Sequence, residues 1–205
     1  MRHAVSIPTE AGEFVAHFTE RGLAAIDFPG RKRVESRSEL RVEKTSAPQF
    51  SIRTPLDSQR KLLSTLNTDS SQLSTQIPLN SLAVSPDFPG WEQPTAMALR
   101  AALAGKSAGR LPPFDWRGAT EFQQSIWRAL LRIPTGRTST YAELAAAAGH
   151  PRAVRAAGSA CGANPIPVLV PCHRVVASGG KLGGFSGGLD WKRRLLAREG
   201  VELES

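Results

Sequence analysis

Cysteine is scarce in this chain of 205 residues, which holds only Cys161 and Cys172, eleven positions apart. Two cysteines at this spacing form neither a CxxC pair nor the dense set of a disulfide-stabilised small domain. A cysteine-rich zinc site is also disfavoured, because such sites use closely spaced pairs of ligands. We therefore expect a reducing, cytoplasmic compartment and no bound metal.

Long apolar runs are absent as well. No stretch approaches the ~20 apolar residues that a membrane-spanning helix needs. The opening residues Met1, Arg2 and His3 are not followed by an apolar segment, so the N-terminus does not match a secretory signal peptide. The length suits one ordinary domain, or two small ones that share a core.

Positive charge is abundant and unevenly placed. The chain carries 26 Lys and Arg against 18 Asp and Glu, a formal net charge of +8. Residues 117–205 hold 12 of these basic and 6 of these acidic residues. A basic half of this kind favours a polyanionic partner such as nucleic acid, although a basic surface that serves only solubility has the same composition.

The N-terminal pattern predicts three short strands. Apolar residues alternate loosely over residues 4–7, 13–18 and 23–28, with turn-forming residues at 8–12 and 19–22 between them. Such a pattern favours an antiparallel meander.

The middle of the chain has a different composition. Residues 31–45 are dense in charge, and residues 45–89 are rich in Ser, Thr, Gln and Pro. A segment with so few apolar residues indicates a poorly ordered insertion or linker. A proline in the first turn, an Ala, Leu and Met body and a closing glycine then predict a helix over residues 94–105.

Two capping boxes mark helices in the second half. Thr120 with Gln123 precedes an apolar face of Phe122, Ile126 and Leu130, and Thr140 with Glu143 opens a helix over residues 141–148. After a turn at residues 149–150, we expect a second short helix from Pro151 to about Cys161. Two short helices around a tight turn with glycine fit a helix-turn-helix, or an ordinary helical hairpin.

The region around Cys172 carries the candidate chemistry. An apolar run at residues 166–170 leads to Cys172, His173 and Arg174. A glycine-rich loop over residues 178–188 follows, and a last helix over residues 189–198 ends near Gly200. A thiol attacks as its thiolate, and a nearby imidazole or cation makes the thiolate easier to form. A buried, inert cysteine beside a satisfied histidine is the alternative.

The stretch from Pro171 to Val175, preceded by Asn164, Pro165, Ile166 and Pro167, resembles the active-site signature of the O6-alkylguanine-DNA alkyltransferases. The resemblance extends from about Phe114 to Gly200. It implies an α/β N-terminal domain, a trimmed ribonuclease-H-like fold, over residues 1–110. A mostly helical catalytic domain with a helix-turn-helix would then occupy residues 111–205.

The resemblance also implies roles for individual residues of the active site. Cys172 would accept the alkyl group, His173 would remove its proton through a water, and Glu199 would steady His173. Asn164 would brace the turn, and Tyr141 would donate a proton to the flipped guanine. The substrate-binding set would add the carbonyls of Cys172 and Val175, with Phe185 and the donor Ser186.

For DNA, the resemblance implies a minor-groove surface on the second helix of the pair. Arg155 would fill the gap left by the extruded base, and the binding residues around it would be Arg152, Ala153, Ala156 and Gly158. The expected partner is double-stranded DNA containing O6-alkylguanine, bound by a monomer without cofactor, and O4-alkylthymine would be a second substrate. No membrane partner is expected.

The chain departs from the family at several points. No N-terminal cysteines are present for the structural zinc of some members, residues 45–89 are unusually long and polar, and Phe185 stands where tyrosine is frequent. Three rival functions are a lesion-binding module without an acceptor cysteine, a helix-turn-helix transcription factor, and a cysteine hydrolase. The first lacks the residue that Cys172 supplies, the second has no need of the Cys-His-Arg sequence, and the third would turn over many substrate molecules.

Overall fold

A three-stranded antiparallel meander begins the structure, a computed structural model that describes residues 3–30 and 90–202. Its strands are β1 (His3–Thr9), β2 (Gly12–Thr19) and β3 (Gly22–Asp27), and they pair in the order β1-β2-β3. The predicted meander is confirmed.

One face of this sheet is apolar because side chains alternate along a strand. On β2 the side chains of Phe14, Ala16 and Phe18 are buried, and Ile7 of β1 lies opposite Phe14. These residues belong to one hydrophobic cluster that also contains buried side chains from each α-helix that the structure describes within residues 90–202. The sheet therefore shares its core with the helical part of the chain.

The free edge of β3 is hydrogen-bonded to two segments from the second half of the chain. The Leu23 amide donates to the Pro113 carbonyl at 2.8 Å, and the Ile26 amide donates to the Pro165 carbonyl at 2.9 Å. Gly22 permits the first approach, since a Cβ there would lie 2.1 Å from the Pro113 oxygen. The second bond ties the sheet to the residues just before the predicted active site.

Helix α1 spans Glu92–Leu103 and α2 spans Glu121–Leu130. The capping box of Thr120 and Gln123 is present, and it satisfies amides that the first turn of α2 leaves without intrahelical partners. The buried Trp127 indole N–H of α2 donates to the Ala160 carbonyl at 2.9 Å.

Helix α3 spans Tyr141–Ala147 and begins at the predicted Thr140–Glu143 capping box. Helix α4 spans Val154–Gly162, so the prediction that it starts at Pro151 is wrong by three residues. The Ala153 amide donates to the His150 carbonyl and closes a turn, which places Pro151 at a turn position that also favours proline.

A two-stranded parallel pairing joins α3 to the predicted active site. β4 (Ser139–Thr140) pairs with β5 (Val175–Val176) in the register Ser139 to Val175 and Thr140 to Val176. Short 3-10 turns occupy Cys172–Arg174 and Ser178–Gly180, and α5 spans Leu189–Arg198. The last helix thus has its predicted bounds.

The architecture is a two-part α/β fold of a small sheet and helices. Its predicted division near residue 110 stays a prediction, and the predicted insertion at residues 45–89 lies outside the described residues. Within residues 3–30 and 90–202, no helix is both long and apolar enough to cross a membrane.

Candidate active site

Cys172 opens a 3-10 turn at the end of a buried, strained run of chain. Its side chain is buried, and its amide donates to the Val170 carbonyl at 2.8 Å. Val168, four residues before Cys172, has a φ of +73°. That conformation is unfavourable for a β-branched residue and costs about 1–3 kcal/mol. Surrounding contacts must therefore hold this run in place.

Asn164 supplies such contacts. Its side-chain oxygen accepts from the Ile166 amide at 3.0 Å, and its Nδ2 donates to the Val170 carbonyl at 2.8 Å. The same Nδ2 lies 3.1 Å from the Cys172 Sγ and donates to it. One buried side chain therefore joins both ends of the run and reaches the sulfur.

His173 and Glu199 form a buried hydrogen-bonded pair beside Cys172. His173 Nε2 and Glu199 Oε1 are 2.9 Å apart, and both side chains are almost completely inaccessible. Glu199 is the C-cap residue that directly follows α5, so the end of the last helix places the carboxylate next to the 3-10 turn.

Arg174 holds the same carboxylate from its other side. Its Nε and Nη2 donate to Glu199, its Nη1 donates to the Ile133 carbonyl at 2.6 Å, and its Nη2 reaches the Thr135 hydroxyl. The sequence suggested Arg174 as a cation that assists the thiol. The structure shows instead a residue that ties Glu199 to the loop after α2.

These contacts determine the protonation states of Glu199 and His173. Burial raises the Glu199 pKa, but the hydrogen bonds from His173 and Arg174 outweigh it and lower that pKa to about 2. Burial lowers the pKa of His173. At neutral pH a neutral imidazole therefore faces an ionised carboxylate, so Nε2 must carry the hydrogen that it donates.

The other imidazole nitrogen is consequently a base. Nδ1 of His173 is buried and has no hydrogen-bond partner among the described residues. Burial raises the pKa of Cys172 to about 11, against lowering by the Asn164 hydrogen bond and by the charge of Lys192. The thiol is thus protonated at rest and needs a proton acceptor before it can attack.

Lys192 is a residue of the site that the sequence prediction missed. It is fully buried on α5, and its Nζ donates to the carbonyls of Val175, Leu182 and Gly184. Burial lowers its pKa to about 8. A signal was available, since Lys192 lies on the helical stripe of Leu195, Leu196 and Glu199, where an apolar residue is expected.

A pocket of about 280 Å³ opens onto the Cys172 side chain. It brings together the predicted residues Tyr141, Phe185, Ser186 and Gly158 with Cys172. The remaining lining residues are Cys161, Gly162 and Gly184. Burial raises the pKa of Tyr141, which keeps its hydroxyl protonated and able to donate. The Val175 carbonyl accepts from Lys192 at 2.5 Å, and a carbonyl has a second lone pair for a ligand.

The predicted DNA-binding residues lie on α4 (Arg155, Ala156 and Gly158) and in the turn just before it (Arg152 and Ala153). Arg152, Arg155 and Ala156 are exposed, and Ala153 and Gly158 are half-buried. The opposite side of the helix is buried through Ala157, Ala160 and Cys161. The structure thus separates an exposed, small and basic surface from a packed one.

Within residues 3–30 and 90–202, no group of three or more His, Cys, Asp or Glu side chains is placed to hold a metal ion. Around Cys172, His173 and Glu199 are instead hydrogen-bonded to each other through the imidazole Nε2.

Comparison with known proteins gives a consistent set of similarities. Residues 121–201 match a family model described as 6-O-methylguanine DNA methyltransferase, DNA binding domain. The chain is 49% identical over 120 residues, 56% of its length, to a methylated-DNA–protein-cysteine methyltransferase of Mycolicibacterium paratuberculosis, and the match covers 72% of that relative. A protein of the same name from Methanosarcina acetivorans is 52% identical over 96 residues, but these span only 62% of it and 45% of this chain.

Solved structures are similar over more of the chain. The crystal structure of Mycobacterium tuberculosis O6-methylguanine methyltransferase superposes with a TM-score of 0.63 at 30% identity, over 97% of this chain and 93% of that one. A second structure, of Mycobacterium tuberculosis OGT in complex with DNA, gives a TM-score of 0.59 at 29% identity, over 97% and 91% of the two chains.

Proposed function

This chain belongs to the methylated-DNA–protein-cysteine methyltransferases, which repair DNA by direct transfer of an alkyl group to a cysteine, and on that premise we propose that Cys172 is the acceptor. The observation that carries the proposal is the buried set of contacts at this residue. Asn164 donates to its sulfur at 3.1 Å, and the adjacent His173 is paired to Glu199 at 2.9 Å.

The substrate is O6-alkylguanine in double-stranded DNA, with O4-alkylthymine as a second substrate. His173 Nδ1 takes the thiol proton through a water, and the thiolate attacks the alkyl carbon in line with the carbon–oxygen bond. That bond breaks as the carbon–sulfur bond forms, and Tyr141 gives a proton to the departing base. The products are guanine and an S-alkyl Cys172, and the thiol proton restores the tyrosine hydroxyl.

Each protein group has a distinct physical task in this reaction. Glu199 stabilises the imidazolium that forms on His173, because an ionised carboxylate at 2.9 Å favours the charged ring. Asn164 and Lys192 favour the thiolate, as both lower the pKa of Cys172 against its burial. Cys172 and Ser186, which line the pocket, offer the base a carbonyl acceptor and a hydroxyl donor, and the Val175 carbonyl is the second acceptor.

The damaged base reaches this pocket by leaving the DNA stack, which costs a few kcal/mol and is easiest for a weakly paired lesion. We propose that α3 and α4 form a helix-turn-helix whose exposed residues approach the minor groove. Arg155 fills the vacated position in the duplex, and Arg152, Ala153, Ala156 and Gly158 lie against the DNA. Small side chains on α4 favour such a close approach.

The remaining features of the proposal concern the whole protein. We propose that the N-terminal part is a trimmed ribonuclease-H-like fold, a proposal that the antiparallel meander and α1 support. The protein acts as a monomer, without metal or other cofactor, and in the cytoplasm.

Intact-mass analysis tests the assignment of the acceptor. After exposure to a duplex with one O6-methylguanine, the wild-type protein gains one methyl group on the peptide that contains Cys172. Cys172→Ala gains none but still binds the duplex, since binding depends on α3 and α4. Cys161→Ala is the matched control and gains the methyl group as the wild type does. Methyl transfer by Cys172→Ala, or its loss in Cys161→Ala, would show that the wrong cysteine has been chosen.

A further inference from the structure

The wall of the acceptor pocket includes one large aromatic ring. Phe185 lines the pocket together with Cys172. Its ring also meets the His173 ring edge-on, with centroids 6.4 Å apart and planes at 83°. A shift of Phe185 would therefore change both the space beside the sulfur and the packing of the proposed base.

Phe28 supports this ring from behind. The two centroids are 5.8 Å apart with planes at 79°, an edge-to-face contact. Phe28 follows β3 and is 7% exposed. It lies outside residues 121–201, the part of the chain that matches the family model. The support for the pocket wall thus comes from the N-terminal sheet.

The position of Phe28 is fixed by its other neighbours. Its ring packs against Trp191 of α5 at 5.0 Å and against Phe14 of β2 at 5.5 Å. At Gly187, a Cβ would lie 2.7 Å from both the Phe28 and the Phe185 rings. Two residues before Phe28, the Ile26 amide is bonded to Pro165. The ring therefore has little room to move.

We propose that Phe28 is a positioning residue that holds Phe185 in place and so limits the size of alkyl group that Cys172 accepts. The proposal rests on the proposed function, because it concerns the same pocket. Loss of the Phe28 ring leaves a cavity into which Phe185 can retreat, since packed interiors relax toward a void. The pocket then gains space next to the sulfur without loss of any group that contacts the substrate.

The experiment compares two alkyl groups in the same DNA. Single-turnover rate constants are measured with duplexes of one sequence that carry either O6-methylguanine or O6-benzylguanine. For each variant, the benzyl rate constant is divided by the methyl rate constant. This ratio is unaffected by a change in DNA binding that is the same for both substrates. A change of pocket size by a few carbon atoms alters such ratios by about tenfold.

We expect Phe28→Ala to raise the benzyl-to-methyl ratio by about fivefold to tenfold. Phe18→Ala is the matched control, because it removes the same side chain from the buried face of the N-terminal sheet. The rings that pack against Phe28 are those of Phe14, Phe185 and Trp191 rather than that of Phe18. Phe18→Ala is expected to lower the melting temperature by a similar amount and to leave the ratio within about twofold of wild type. Phe28→Leu, which refills most of the volume, should return the ratio toward the wild-type value.

An unchanged ratio in Phe28→Ala, or an equal rise in Phe18→Ala, overturns the inference. If Phe28→Ala does not fold, Phe28→Val takes its place, with a ratio about threefold or more above wild type expected and a ratio within about twofold of wild type contradicting the proposal. A wild-type protein that transfers neither group contradicts the proposed function instead. The two failures are therefore distinguishable.

Discussion

At the scale of single residues, Cys172 combines high reactivity in the proposed reaction with a raised pKa. Many reactive cysteines are exposed and acidic, and their thiolates form at neutral pH. Burial here raises the thiol pKa to about 11, so the thiol stays protonated until His173 takes the proton. Such a thiol resists oxidation and side reactions before a substrate arrives, which suits a residue that is used once.

The pH dependence of transfer follows from the lowered pKa of His173. Because a neutral imidazole is the base, the rate falls only when the ring is protonated. We expect the single-turnover rate constant to be nearly constant from about pH 8 to pH 6.5, the ordinary histidine pKa, and to decline only below it. Rates on methylated duplex across this range measure it. A tenfold rise per pH unit between pH 6 and 9 would mean that the thiolate forms without His173.

Glu199→Gln tests the role of His173 as the base in a second way. The amide removes the charge that stabilises the imidazolium, so we expect a rate at least about 100-fold lower, as for other general bases that lose their partner. DNA binding measured in parallel should be unchanged, since the Glu199 side chain is buried and bonded to Gly136, His173 and Arg174 rather than to residues of α4.

Most residues of the active site could be predicted from the sequence, but the signal that identified them differs from residue to residue. Cys172, His173 and Asn164 lie close together in the sequence, where a motif can be read. Glu199 is 26 residues away from His173 in the sequence; its place near the end of the last helix and the family resemblance both suggested it as the partner, and the structure places it 2.9 Å from His173. Lys192 was missed because its partners are three backbone carbonyls, which leave no trace in side-chain identity.

At the scale of secondary-structure elements, local signals predicted most of the bounds. Both capping boxes are present where the sequence placed them, because their hydrogen bonds involve residues only three positions apart. The start of α4 was predicted three residues too early. Proline favours both a first helical turn and a turn corner, and only the hydrogen bond from Ala153 to His150 decides between them.

The proposed role of α4 in displacing the damaged base from the duplex can be tested at Arg155. Arg155 is exposed on this helix, and its proposed task is to occupy the space that the flipped base leaves. We expect Arg155→Ala to slow transfer from O6-methylguanine in duplex DNA by about tenfold or more, and to leave reaction with free O6-benzylguanine nearly unchanged. Arg193→Ala on α5 removes the same charge from an exposed site and serves as the control. Equal losses on both substrates in Arg155→Ala would contradict the role in opening the duplex.

At the scale of the whole molecule, buried carboxylates couple the active site to stability. Hydrogen bonds from His173 and Arg174 lower the pKa of Glu199 to about 2. Hydrogen bonds from Arg117 and Thr19 lower the pKa of Asp115 to about 2. The bond that Asp115 accepts from Thr19, at 2.6 Å, links β2 to the segment before α2. Both groups are ionised in the folded state at a pH where the unfolded chain is already protonated.

Acid should therefore destabilise the protein in a defined range. A lowered folded pKa gives stability that is present above the unfolded value of about 4 and is lost as pH falls through about 2. For Glu199 this amounts to as much as about 3 kcal/mol. We expect the free energy of unfolding, measured by denaturant titration, to fall steeply between about pH 4.5 and 2. Asp115→Asn should flatten this dependence, and a slope equal to that of the wild type would contradict the assignment.

Stoichiometry tests the central claim most directly. Attack on an alkyl carbon gives a thioether, which has no carbonyl for water to attack, so neither His173 nor Glu199 can regenerate the thiol. The measurement is a titration of a known amount of protein with excess methylated duplex. The amount of O6-methylguanine lost from the DNA is the quantity monitored. We expect repair to stop at one equivalent per protein molecule, with the methyl group recovered on the peptide that contains Cys172. Continued repair beyond one equivalent would contradict irreversible transfer to Cys172.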